Sequence, residues 1–243
     1  MLASHELRFG NEGFEHLIDT VLAAGYSFAR FDIPPLPAAR IFRLRFDVDI
    51  SPSATLALAD VLRRRGVSAT FLFQLNSETY CIFSRRVLDA ISELRRQGHA
   101  VGLHIDSSAF SVEESHIAAT VGWFSTCCRT IDPVVSFHRP DTSVLGRRYS
   151  GFHSAYSSEF FDADHYLSDS RRSLDFAAHL RQWLAEGRTP IQLLLHPEWW
   201  ETHADVEAIW NTLRARRLAD LEEYVAANFH KVFSHILKTT GPG

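Results

Sequence analysis

Apolar residues recur at helical spacing from Asn11 to Ala24, where Phe14, Leu17, Ile18 and Val21 share a face and Gly25 supplies a stop. Tyr26 to Arg43, with prolines at 34, 35 and 37, reads as an irregular approach to a first core strand, Ile41 to Phe46. From there strand and helix alternate. Ser51 is placed to cap a helix beginning at Pro52, with Leu58, Val61 and Leu62 inward and Gly66 as its stop. Val67 to Phe73, rich in β-branched and aromatic residues, predicts a strand, and Ser84 opens a helix carrying Val87, Leu88, Ile91 and Leu94 as far as Gly98. His99 to His104 follows as a strand. Ser111 and Glu114 have capping-box spacing before Ile117, Val121 and Phe124, with a strand from Pro133 to Phe137 after them. Short strands are predicted at Gly151 to Ala155 and His165 to Ser168. Ser173 is read as the cap of a helix through Phe176, Leu180, Trp183 and Leu184 to Gly187, and Ile191 to Leu195 is a continuous apolar strand. Thr202 to about Phe229 reads as helical through Val206, Ile209, Trp210, Leu213, Leu221 and Val225.

Strand–helix units with apolar strands imply an α/β fold in which helices cover a parallel sheet. The pattern gives about seven such strands, and both an open sheet and a closed or nearly closed barrel accommodate them. No composition break or low-complexity linker divides the 243 residues. They are read as one domain, with 1–40 as lead-in, 41–200 as the strand-and-helix body and 201–243 as terminal helices.

Composition narrows the function classes. No apolar run approaches the roughly 20 residues that span a bilayer, and Met1 to Glu15 has no apolar signal-peptide core, so a cytoplasmic location is expected. A net charge of -4 gives no electrostatic pull toward nucleic acid, and Arg63 to Arg65 and Arg214 to Arg217 fall on solvated helix faces. Cys81, Cys127 and Cys128 form neither a disulfide framework nor a zinc knuckle and are expected to be reduced and mostly buried.

The polar residues collect at strand ends, where parallel α/β folds build their sites. Asp47 and Asp49 sit two apart on the first core strand and so share a face. Such a pair calls for a cation or a basic group between or beside the two charges. Later strand ends supply His104 and Asp106, then His138, Arg139 and Asp141, then Asp169, and last His196. Adjacent Trp199 and Trp200 are expected to face opposite ways, one of them lining the cleft. His99, inside a strand pattern, reads as structural.

These segments, in this order, resemble the polysaccharide deacetylase (NodB-homology) family from about Ile41 to Trp200. Phe46-Asp47-Val48-Asp49 resembles its first motif, Gly98-His99-Ala100-Val101-Gly102-Leu103-His104 the lead-in to its second, Phe137-His138-Arg139-Pro140 its third, Asp169-Ser170 its fourth and Leu194-Leu195-His196 its fifth. The resemblance implies a distorted (β/α) barrel and a divalent metal, zinc foremost with cobalt or nickel as alternatives. It implies Asp47 as general base, Arg139 holding that base, Asp49 and His104 as metal ligands, and His196 as general acid with Asp169 beside it. The family's second metal histidine falls at Ser108, a poor zinc ligand, so His138 is expected to complete the site ahead of Asp106. Asp141, where the family continues with Pro-Tyr, and Arg171 and Arg172, where an aromatic follows the fourth motif, are expected to reshape the substrate groove, with Asp141 as a substrate contact.

The resulting expectation is removal of an acyl group, N-acetyl first, from a small-molecule or lipid-linked carbohydrate, an intracellular intermediate of surface polysaccharide or lipopolysaccharide O-antigen synthesis. Two rivals stand beside it: a carbohydrate-binding relative that has lost its metal, and a hydrolase of a non-sugar carbon–nitrogen bond. The sequence does not select an oligomeric state.

Overall fold

The computed structural model describes residues 7–33, 40–201 and 205–237, with Leu237 described by its backbone. The prolines at 34, 35 and 37, His5 and Glu6, and the predicted helix start at Thr202 lie outside these residues. The chain divides into two compact units, Met1–His203 and Ala204–Gly243.

In the first unit α1 (Asn11–Ala23) precedes β1 (Tyr26–Phe28), a short strand the hydrophobic pattern did not predict. The alternation then runs β2 (Arg40–Val48), α2 (Ala54–Arg64), β3 (Thr70–Gln74), α3 (Arg85–Arg96), β4 (Ala100–Asp106), α4 (Glu114–Cys127), β5 (Val134–His138), β6 (His153–Ser154), β7 (Tyr166–Ser168), α5 (Phe176–Glu186), β8 (Ile191–Leu195) and α6 (Pro197–Trp200). All pairings of these strands are parallel, in the order β6-β5-β4-β3-β2-β8-β7, with β1 against the start of β2. Seven strands thus curl into a distorted (β/α) barrel.

Strand alternation sorts β2 into two columns. Phe42, Leu44, Phe46 and Val48 turn outward into the main core, where Phe46 stacks on Phe71 at 4.6 Å and meets Phe14 of α1 edge-on. Arg43, Arg45, Asp47 and Asp49 form the other column. At its foot Arg43 lies 4.8 Å over the Phe160 ring, beside a small cluster of Phe31, Leu72, Val134, Ala155 and Phe160. β4 comes so close to β5 that a Cβ on Gly102 would stand 2.0 Å from the Val134 carbonyl oxygen, so only glycine fits there.

Helix stops fall where the glycines are, and Gly187 closes α5 in the left-handed region at φ 69. Helix starts moved. Ser84 caps α3 as predicted, its Oγ accepting from Val87 N. The predicted capping box at Ser111 does not form, because the Glu114 carboxylate is taken by Ser150 N at 2.5 Å and Gly151 N at 3.1 Å. At Ser51, a turn in which Ala54 N donates to Ser51 O and Thr55 N to Pro52 O comes before α2. Ser173 likewise precedes its helix, its Oγ accepting from Asp175 N. Cys81 and Cys127 are exposed and Cys128 half-buried, correcting the expectation of mostly buried thiols; none is in a disulfide. Arg63 to Arg65 pair with Asp60, Glu15 and Asp19.

The second unit is described through one helix, α7 (Val206–Leu237), interrupted at Phe229 by φ -130. No helix among the described residues is long and apolar enough to cross a membrane.

Candidate active site

The C-terminal rim of the barrel gathers side chains from β2, β4, β5, β7 and β8. Asp49, just past β2, is the centre. His104 Nε2 stands 3.3 Å from Asp49 Oδ1, and His196 Nε2 stands 3.7 Å from Asp49 Oδ2. Burial alone would raise the Asp49 pKa, but His104, His196 and His138 around it hold the carboxyl down to about 2. Asp49 is thus a carboxylate facing three imidazoles.

Below Asp49, a chain of hydrogen bonds fixes His104. Ser136 Oγ donates to Asp47 Oδ1 at 3.0 Å, which uses its one hydrogen. The 2.6 Å contact between Ser136 Oγ and His104 Nδ1 is therefore donated by the ring, which places a proton on Nδ1. That assignment turns the Nε2 lone pair toward Asp49 Oδ1, which is buried and has no hydrogen-bond partner. Two acceptors facing each other across 3.3 Å are stable only with a proton or a cation between them.

On the other side, His196 and Asp169 form a dyad. The buried Asp169 carboxylate accepts from three donors: His196 Nδ1 at 2.6 Å, His196 N at 3.0 Å and Trp200 Nε1 at 2.7 Å. Burial disfavours the imidazolium, yet the hydrogen bond and charge of Asp169 raise the His196 pKa to about 9. Glu198, the second residue of α6, is buried, and burial pushes its carboxyl up to about 8.

His138, at the end of β5, lies next to His104 with ring centroids 5.4 Å apart. Its Nδ1 is 3.3 Å from Gln74 Nε2 and 3.7 Å from Asp106 Oδ2. Ser108, at the position of the missing histidine, folds back onto Asp106, its N at 2.9 Å and its Oγ at 2.7 Å from Asp106 Oδ1.

Some predicted residues stand elsewhere. Arg139 is exposed, with φ 51, and donates no hydrogen bond to Asp47; the guanidinium that reaches Asp47 is Arg45, at 3.3 Å. Asp141 is exposed and closes a turn by accepting from Ser143 N. Trp200 is 0% exposed, packed on Phe9 and Phe14, so it supports Asp169 and cannot line the cleft; Trp199 is half-buried. His99 is structural as expected: buried, its pKa lowered to about 4 by that burial, its Nδ1 accepting from Ala69 N.

Sequence reasoning missed Arg45, Ser136, Gln74 and Glu198. Arg45 and Ser136 each lie two residues before a predicted site residue, so strand alternation alone carried the signal for them.

Among the described residues no group of three His, Cys, Asp or Glu side chains stands ready to hold a metal ion. The donor chemistry fits one in part: Asp49 Oδ1 and His104 Nε2 are a facing carboxylate and imidazole of the kind zinc takes, with His138 the adjacent third imidazole.

No family model matches the sequence, and no curated protein matches it. Solved structures do. A Bdellovibrio bacteriovorus peptidoglycan deacetylase is 19% identical over 79% of this chain, with a TM-score of 0.44; the chain spans 54% of that protein. A family 4 carbohydrate esterase from Bacillus anthracis is 17% identical, covering 87% of this chain and 93% of its own, with a TM-score of 0.42. A family 4 acetyl xylan esterase from Clostridium thermocellum, in complex with a cobalt ion, is 18% identical, covering 72% and 84%, with a TM-score of 0.41.

Proposed function

We propose that this chain is a metal-dependent hydrolase that removes an acyl group from a carbohydrate. The observation that carries this reading is the pair of groups flanking Asp49 and its His104 neighbour: the Asp47 carboxylate 3.6 Å from His104 Nδ1, and the His196–Asp169 dyad with His196 Nε2 3.7 Å from Asp49 Oδ2.

Asp49 and His104 would hold the cation, with His138 as the third ligand. The Gln74 amide, 3.3 Å from His138 Nδ1, and the Asp106 carboxylate, 3.7 Å from the same nitrogen, would hold the ring in place. A bound divalent ion supplies a water of lowered pKa and polarises an acyl carbonyl. Asp47 takes the proton of the attacking water, and His196, charged up to about pH 9, delivers a proton to the departing sugar nitrogen or oxygen. Asp169 keeps the proton-bearing Nε2 of His196 aimed toward Asp49, and half-buried Trp199 offers a ring edge for the sugar.

The test is acyl release. Full-length chain supplied with zinc or cobalt is expected to free acetate from N-acetylated or O-acetylated sugars, and Asp49→Asn to abolish it. Sugar binding with no acyl release from either class would contradict a hydrolase and favour a binding protein.

A further inference from the structure

Arg45 is 0% exposed, and a guanidinium so placed costs free energy unless a charge and good acceptors meet it. It has them. Nη2 donates to Tyr156 Oη at 2.6 Å and to Asp47 Oδ2 at 3.3 Å, and Nη1 donates to Gln192 Oε1 at 3.1 Å. The guanidinium carbon lies 4.4 Å over the Tyr156 ring. Gln192 is itself fixed, because its Nε2 donates to the carbonyls of Ala155 and Phe160, so its oxygen is turned to Arg45. Among the described residues, the carboxylate within ion-pair distance of Arg45 is Asp47.

We propose that Arg45 is the positioning residue for the Asp47 carboxylate, clamped for that task by Tyr156 and Gln192 inside the barrel; this rests on Asp47 being the base. The pairing follows from the strand: residues two apart on β2 present their side chains on one face, so Arg45 reaches Asp47 without any loop. Arg139, by contrast, sits on an exposed loop after β5, away from that carboxylate. The base is therefore held from below, by the barrel's own strands, and the β5 loop does not take part in holding it.

Kinetics and spectroscopy test this separately. With zinc and an acetylated sugar, Arg45→Met is expected to lower kcat by about a hundredfold with KM little changed, the scale of a misplaced general base. Arg45→Lys is expected to recover a good part of that loss, and Arg139→Ala to lower kcat far less than Arg45→Met. Tyr156→Phe, which removes one hydroxyl, is expected to lower kcat in the same direction and keeps the test open should Arg45→Met fail to fold. In full-length chain labelled with 15N-arginine, the protected guanidinium signals that vanish in Arg45→Lys are expected to shift in Asp47→Asn and to stay in place in Arg139→Ala. That readout needs no turnover, so it decides the role of Arg45 even if no acylated sugar is hydrolysed. Unmoved Arg45 signals in Asp47→Asn, or an Arg139→Ala loss of kcat as large as that of Arg45→Met, would overturn the proposal.

Discussion

Asp47→Asn lowers kcat by about a thousandfold while zinc affinity stays within about threefold of the parent chain, because removal of a general base is typically worth a hundred- to ten-thousand-fold. Asp47 Oδ1 is occupied by the Ser136 hydroxyl, while Oδ2 faces Arg45 at 3.3 Å and His104 Nδ1 at 3.6 Å. Asparagine keeps the shape but neither the charge nor the capacity to take a proton. Asp47 is also only 2% exposed, and through Ser136 it touches the ring nitrogen of His104, a proposed metal ligand. A carboxylate whose role was to orient that ligand would give a different result, since losing such a partner typically costs about 10–100-fold in metal affinity. Zinc titration of Asp47→Asn beside its kinetics therefore separates the two roles. Full activity in this variant would remove Asp47 from the reaction.

Asp169→Asn moves the basic limb of the pH–rate profile downward, from about 9 in the parent to below the ordinary imidazole value of about 6.5. Burial disfavours the His196 imidazolium, and the Asp169 carboxylate is what overcomes that penalty; take the charge away and burial remains. At neutral pH the variant then lacks a charged acid. The same shift has a stability consequence. Because the folded pKa is raised, the pair contributes its full stability below the unfolded value of about 6.5 and loses it as pH rises through about 9, an effect on the order of 3 kcal/mol. Urea unfolding at several pH values should show the parent losing stability across that window and Asp169→Asn showing little of the loss. A variant whose limb stays near 9 would mean that Asp169 is not the partner of the acid.

The alternation of strands and helices was legible because most strands carry apolar runs and several helices stop at a glycine of positive φ, as at Gly66, Gly98 and Gly187. Helix starts were less so. A serine or glutamate near a start has rival partners that only the folded chain supplies, and Ser150 outcompetes the backbone for Glu114. β1 is three residues long, too short for a period to register. In the site, Asp49, His104, His138, His196 and Asp169 were legible as polar residues at strand ends, and the fold brings them to one rim. The Arg139 expectation failed for a spatial reason: a resemblance transfers a residue type along the chain, whereas the acceptor lies in the barrel interior, where Arg45 was already on the same strand face. Of the two adjacent tryptophans Trp200 is the buried one, because its indole N–H is satisfied within the core by Asp169.

The central claim is that acid and imidazole side chains from separate strands share one ion at this rim. A crystal of the full chain soaked with zinc measures it directly. The account predicts one ion bound by Asp49 Oδ1 and His104 Nε2 at about 2.0–2.2 Å, with a nitrogen of His138 as the third protein ligand. Zinc absent from this rim, or bound by residues other than Asp49 and His104, would contradict it.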